Sequence, residues 1–581
     1  MNPFAEVLGL VTASLNQLSA AGALPAGLDL TRVAVDPPRD PAFGDMACNA
    51  AMVLAKSAKQ PPMAIAEKLT AELRKAEIIA SADVAKPGFV NIRLHDDYWR
   101  ARLHDVLSAG ERYGTSTIGG NSPINVEFCS ANPTGHLHVG HARGTVFGDS
   151  LASLLAFAGY NVTREYYVND GGAQIKALAR SVHHRYRELL DAADGPMPDG
   201  LYPSKDLIPV AQAIKDADGD RYVQQAEEQW LRHFSLVSVE AMLDLIRQDL
   251  AALGVTYDRF SSERELIEND KLTAALNHLD QQGLIYRGTL PPPKGKPDAD
   301  WEPVELLLFK STEFGDDVDR PLQSSKGEWT YMAADIAYHF DKIERGTPHM
   351  IDVWGADHGG YIKRMQAAVK AHGSGASLDI RVCQLVNLMD GGKPLKMSKR
   401  AGRIANLKDV VAEVGKDVLR FMLLFRKNDA PLDFDLQKVT ETSRENPVFY
   451  VQYAHARICS VFRNAEGEGL GSLIANLNQA PVAKLTDPAE LQLIRRLAGF
   501  PRMIESAAVQ LEPHRIAFYL HELAGDFHSL WNKGKEQPEL RFLTADHEVT
   551  AARLALLAAV GQVLRNGMRI LGVDPVEVLT G

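Results

Sequence analysis

Residues 123–168 read PINVEFCSANPTGHLHVGHARGTVFGDSLASLLAFAGYNVTREYYV, and the architecture can be read from them. Ile124–Cys129 is a strand-like run, followed by the turn-rich Ser130-Ala131-Asn132-Pro133-Thr134-Gly135. Such a run followed by such a loop predicts a strand that ends at a functional loop. A helix is then expected from near His138 to Ala158. After Gly159 a second strand is expected over Asn161–Val168. Strand, helix and strand in this order form a βαβ unit, which implies a parallel sheet and an α/β fold.

Outward from this unit the chain divides into four parts. Residues 1–118 predict an α+β module: helical periodicity near Phe4–Ala20 and Met63–Ile78, then a strand at Phe89–Leu94 after Pro87-Gly88. Tyr113–Ser122 is rich in Gly, Ser and Thr and reads as a linker. Residues 119–385 are expected to form the parallel-sheet domain, with a charged helical insertion at about 200–255 carrying Trp230, Phe234, Val237 and Met242 as a core stripe. The βα pattern resumes at Glu305–Phe309 and at Met350–Trp354, so the sheet is expected to collect strands from distant pieces. Residues 386–440 form a basic connecting region. From 441 to 581 the steps of three and four in Ile516, Tyr519, Leu520, Leu523, Phe527 and Leu530 predict an all-α bundle.

Composition narrows the function classes. A chain of 581 residues, 45% hydrophobic and 24% charged, is long enough for three or four domains. It has no run of about 18 apolar residues and no secretory pattern, so no membrane is expected and the location is expected to be cytoplasmic. Cys48, Cys129, Cys383 and Cys459 lack the paired spacings of a zinc or redox site, so buried free thiols and no metal site are expected. The net charge of −11 argues mildly against a polyanion partner. Between Gly391 and Arg426, however, nine basic residues face three acidic ones, and phosphates would be welcome there.

Two motifs carry chemistry. In His138-Val139-Gly140-His141 two imidazoles share one face at a helix start, and Gly140 leaves room for a ligand against the backbone. The helix N-terminus favours anions, which suits a nucleoside triphosphate. Surface or capping histidines are the bland alternative. In Lys396-Met397-Ser398-Lys399-Arg400, after the glycine-bearing Asp390–Pro394, cations on a loop can neutralise charge in phosphoryl or nucleotidyl transfer. A solvated basic loop is the alternative. The chain has neither the phosphate-binding Gly-x-x-x-x-Gly-Lys-Ser/Thr loop nor the dinucleotide Gly-x-Gly-x-x-Gly.

Together, HVGH after the first strand and KMSKR beyond the last resemble the signature pair of class I aminoacyl-tRNA synthetases. The resemblance sharpens to the bacterial arginyl-tRNA synthetases through Val126-Glu127-Phe128 with Ser130–Gly135, Glu165–Gly172, Thr330–His339, Trp354–Tyr361 and Glu445–Arg457, and it extends to Phe43-Gly44-Asp45 and Lys86–Phe89. It implies a Rossmann-like catalytic domain, an N-terminal module that touches tRNA and a C-terminal anticodon-binding bundle. The implied reaction joins L-arginine to the 3′ end of tRNA(Arg) through an arginyl-adenylate, with ATP as substrate and Mg²⁺ beside it, in an enzyme that is usually a monomer.

The resemblance also implies residue roles. His138, His141, Lys396 and Lys399 would be catalytic, and Gly140, Gly355, Asp357, His358, Met397 and Ser398 would hold ATP. Glu127, Asn132, Tyr331 and Asp335 would hold arginine, whose planar guanidinium calls for carboxylates that accept paired N–H donors. Read alone, Glu127 could be a strand-edge charge, Asp335 a solvated helix acid, and the Gly355–His358 run a plain turn. A zinc-using synthetase for cysteine is the runner-up, argued against by the lack of a ligand cluster. A synthetase-like RNA-binding protein without catalysis is the reading from another class, argued against by both intact motifs.

Overall fold

The computed structural model describes residues 2–291, 304–395, 406–441, 443 and 445–579. At its centre is a five-stranded, wholly parallel sheet in the order Ser377–Cys383, His349–Gly355, Pro123–Glu127, Asn161–Val168, Arg259–Ser262. The strand that comes first in the chain is therefore central, and the chain leaves it in both directions. The switch point lies between Glu127 and Asp352, where a doubly wound sheet opens a crevice at its carboxyl edge.

The helix predicted from near His138 runs Val139–Phe157 with His138 as its N-cap. Its glycines let it lie close on the sheet: a Cβ on Gly148 would stand 2.3 Å from the Phe128 ring. The insertion resolves into helices Leu207–Asp218 and Glu227–Ala252, with Trp230, Phe234 and Met242 buried as the stripe predicts.

One strand assignment needs correction. Glu305–Phe309 does not join the parallel sheet; it pairs antiparallel with Ile285–Thr289 and with Arg320–Pro321 in a separate three-stranded sheet. A short apolar run does not encode its partner, and here Ile285–Thr289 follows a helix, Lys271–Gln281, whose apolar side packs on the same core. The parallel sheet is completed instead by Arg259–Ser262 and Ser377–Cys383, whose mixed polarity hid them.

The N-terminal module is a four-stranded antiparallel sheet with helices Pro3–Ala20, Ala50–Ala58, Pro62–Leu73 and Asp96–Ala109. The helical pattern expected to reach Ile78 stops at Leu73, and Ile79–Ala85 is an edge strand. The Tyr113–Ser122 connection is pinned rather than loose: Tyr113 is buried, stacks on Phe500 and donates its hydroxyl to the Leu497 carbonyl at 3.0 Å. The C-terminal bundle is built from Pro447–Gly467, Pro488–Ala498, Phe500–Gln510, His514–Glu536 and His547–Leu571. The last of these is the one described helix long and apolar enough to cross a membrane, and 78% of its apolar window is buried inside the bundle. All four cysteines are free thiols; Cys48 and Cys383 are buried, Cys129 and Cys459 only partly so.

Candidate active site

The sequence Leu137–His141 folds into a compact turn at the N-terminus of the Val139–Phe157 helix. His138 Nδ1 accepts the Gly140 N–H at 3.1 Å, His141 Nδ1 accepts the His138 N–H at 3.3 Å, and the two rings stack with centroids 3.8 Å apart. Since both Nδ1 atoms accept, the neutral rings carry their protons on Nε2. Burial, reinforced by the neighbouring His138, lowers the His141 pKa to about 4, so this ring is neutral at physiological pH. Both rings therefore carry a neutral Nε2–H, and positive potential at this turn comes from the helix N-terminus. Gly140 has a more local role than the sequence suggested: a Cβ there would stand 2.8 Å from the His138 ring, so glycine is what lets the imidazole fold back as a cap.

Lys396, Met397, Ser398 and Lys399 lie outside the described residues. The chain on either side is well anchored. Before them, Gly391 and Gly392 donate backbone N–H groups to the Asp435 carboxylate at 3.2 and 2.7 Å. After them, Asn406 forms a β-bridge with His138 and Leu407 N–H donates to the Leu137 carbonyl at 2.8 Å. The chain is thus tied directly to the HVGH turn where the described residues resume, at Asn406 and Leu407. Buried Arg143 on the same helix donates to the carbonyls of Gln384, Lys427 and Ala430.

At the switch point lies a cavity of about 230 Å³. Its walls include Glu127 and Ser130 after the central strand, Asp335 and His339 on the Tyr331–Glu344 helix, and Asp352, Gly355, His358 and Tyr361 around the next strand. Asp335 is half-buried, and Tyr361 donates its hydroxyl to Asp335 Oδ2 at 2.8 Å. Burial raises the Asp335 pKa. Glu263 stands behind Tyr167 and is pushed up to about 7 by burial and by the nearby Asp335 carboxylate. A cation beside a carboxyl raised in this way favours its ionised form.

Under the cavity floor lies a buried charge network. Lys342 Nζ donates to Glu127 Oε2 at 2.6 Å and to Asp352 Oδ1 at 3.1 Å. His339 places Nε2 2.9 Å from Asp352 Oδ2 and Nδ1 2.8 Å from the Asp335 carbonyl. Both of its ring nitrogens face acceptors, so the ring is a protonated imidazolium. Burial alone would lower its pKa, but the Asp352 carboxylate raises it. The same network, against the cost of burial, holds Asp352 down to about 2. Burial pushes the Glu127 carboxyl up, and the Lys342 ammonium pulls it back.

The structure gathers Glu127, Asp335, Gly355 and His358 around one cavity. Asn132 stands outside that lining, exposed and donating to Gln174 at 2.8 Å. Tyr331 is one turn from Asp335 on the same helix face but 70% exposed, also outside the lining. Asp357 is exposed beside His358, with 3.5 Å between their polar atoms. Sequence reasoning missed Ser130, Tyr167, Glu263 and Tyr361. Ser130, Tyr167 and Tyr361 lie inside the motif blocks already quoted, whereas Glu263 lies in an ordinary charged run. Ser130 links two walls, donating to Glu127 Oε1 and accepting the Tyr167 N–H, both at 3.0 Å. Among the described residues, no group of three or more His, Cys, Asp or Glu is arranged to hold a metal ion.

Residues 102–460 match the family model described as the catalytic domain of class I (R) tRNA synthetases. Residues 6–94 match the arginyl tRNA synthetase N-terminal domain, and residues 451–579 the DALR anticodon binding domain. The chain is 56% identical over 578 residues to the arginine-tRNA ligase of Cereibacter sphaeroides, covering 99% of this chain and 100% of that one. Against the arginine-tRNA ligase of Roseobacter denitrificans the identity is 56% over 578 residues, with the same coverage. In fold it is similar to the arginyl-tRNA synthetase of Thermus thermophilus, with a TM-score of 0.75 at 22% identity, covering 99% of this chain and 100% of that one.

Proposed function

The chain belongs to the arginyl-tRNA synthetase family of class I synthetases, and from that membership we propose that the cavity at the sheet's switch point is its arginine site. The reaction is the ATP-dependent attachment of L-arginine to tRNA(Arg), releasing AMP and pyrophosphate. In the adenylate route general to this class, the arginine carboxylate attacks the α-phosphorus of ATP and expels pyrophosphate. A ribose hydroxyl of the terminal adenosine then takes the arginyl group and expels AMP. The first nucleophile is already ionised at neutral pH, so catalysis reduces to orientation and to stabilisation of phosphate charge.

The observation that carries the site assignment is Asp335. Its carboxyl is half-buried on the cavity wall, oriented by Tyr361 and backed by Glu263, which suits a guanidinium. Glu127 adds a second acceptor, fixed by Ser130 and Lys342. Tyr331 and Asn132 stand beside the cavity mouth in this reading and complete the arginine contacts. His138 and His141 donate from Nε2 to the ATP phosphates. Lys396 and Lys399 neutralise the charge that develops as pyrophosphate leaves. Gly140, Gly355, Asp357, His358, Met397 and Ser398 hold the nucleotide. Mg²⁺ enters as the ATP complex; the described residues offer no ligand cluster of their own for it.

Outside the centre, residues 1–118 take the outer corner of tRNA(Arg), 386–440 the stem and 441–581 the anticodon. Residues 119–385 hold the reaction. The enzyme works as a monomer in the cytoplasm, away from any membrane; burial of its most apolar long helix supports the last point.

Replacing Asp335 with Asn tests the site. The variant keeps the shape but loses the charge, so the arginine KM should rise roughly ten- to hundredfold while the ATP KM stays near its starting value. Unchanged arginine kinetics would overturn the assignment.

A further inference from the structure

Lys342 is the one lysine among the largest fully buried side chains of the described residues. It does not line the cavity. It lies one layer below, on the Tyr331–Glu344 helix that carries Asp335, and reaches across 215 positions of sequence to Glu127. An ammonium has three donors. Two are spent on Glu127 and Asp352, and Nζ lies 4.4 Å from the Tyr338 ring centroid, a cation–π contact. Burying a charge this deeply is costly unless it is fully paired, and here the pairing is to two carboxylates that themselves form the cavity wall.

Lys342 thereby fixes two things at once. It occupies Glu127 Oε2, leaving Oε1, held by Ser130, on the substrate side. With the His339 imidazolium it also balances Glu127 and Asp352, two cations against two acids. Asp335 is then the wall carboxyl whose charge this network leaves for an incoming cation, and Glu127 adds Oε1 as an acceptor. Without the ammonium, Glu127 and Asp352 would repel each other, and one would take up a proton or turn away.

We propose that Lys342 is a positioning residue for amino-acid recognition: it locks Glu127 and Asp352 into the wall so that Asp335 and Glu127 together match a guanidinium. This rests on the arginine-site reading above. The residue touches no substrate, so its effect falls on arginine binding rather than on ATP.

The test uses the full-length enzyme in steady-state aminoacylation. In Lys342→Met the arginine KM should rise at least about tenfold, the change that follows loss of one charge-assisted hydrogen bond, with the KM for ATP and tRNA within about twofold. Lys342→Ala removes the propylammonium end of the side chain, so n-propylammonium added to that variant should lower its arginine KM again, while propanol should not. This arm also serves if Lys342→Met is too unstable to purify. Equal changes in all three KM values, or amine addition that leaves the arginine KM where it was, would overturn the proposal. Asp335→Asn, measured in parallel, separates the two readings. If it raises the arginine KM and the Lys342 variants do not, only the positioning role falls; if it has no effect, the pocket itself is elsewhere.

Discussion

Gly140 shows how much of this site rests on single atoms. The His138 ring caps its own helix by accepting the Gly140 N–H, and a methyl group at position 140 would occupy the ring's place. Gly140→Ala should therefore lower kcat on the order of a hundredfold, the effect of misplacing a catalytic group by about 1 Å. The fold should hold, because alanine is the better helix former. Rapid-quench measurement of charging together with a thermal melt checks both halves; a normal rate would detach the cap from catalysis. At this scale the candidate site was legible in part. The paired imidazoles at a helix start could be picked out from their spacing, and Glu127 and Asp335 could be picked out through the family resemblance. Glu263 and Lys342 could not. Each is an ordinary charge in its local sequence and acquires meaning only from partners such as Tyr167 and Glu127, which lie far along the chain.

Among the elements, those with strong periodicity were legible and those defined by their partners were not. The bundle helix His514–Glu536 follows from three-and-four spacing, and the Val139–Phe157 helix from its place between two strand-like runs. Glu305–Phe309 had the same local signal as a buried parallel strand, yet its hydrogen bonds go to Ile285–Thr289 in another sheet. Strand pairing is a non-local choice that five residues do not encode. Bundle helices carry their own buried polar tie: on His547–Leu571, Arg553 donates to Glu490 at 2.7 Å and to the carbonyls of Glu539 and Arg541. Arg553→Met would leave a buried carboxylate and two carbonyls without their donor. A loss of roughly 3–5 kcal/mol in urea denaturation is expected. A loss under about 1 kcal/mol, within the range of an exposed pair, would show that water replaces the guanidinium.

On the scale of the whole molecule, the parts converge on the helix that begins at the signature histidines. Arg420, fully buried, donates to Asp149 on that helix, to the Leu253 carbonyl at the end of the insertion and to the Leu571 carbonyl at the end of the bundle. Gly572 adopts a left-handed backbone beside it, where a Cβ would stand 2.3 Å from the guanidinium. The net charge of −11 gave no hint of a nucleic-acid partner, since whole-chain charge averages over surfaces that tRNA never meets. In the proposed function, the assembled molecule builds its arginine specificity from Asp335, Glu127 and the network beneath them. The direct measurement is charging of unfractionated bacterial tRNA with each of the twenty radiolabelled amino acids in the presence of ATP and Mg²⁺. Label should pass to tRNA from arginine alone; label from any other amino acid in place of arginine would contradict the account.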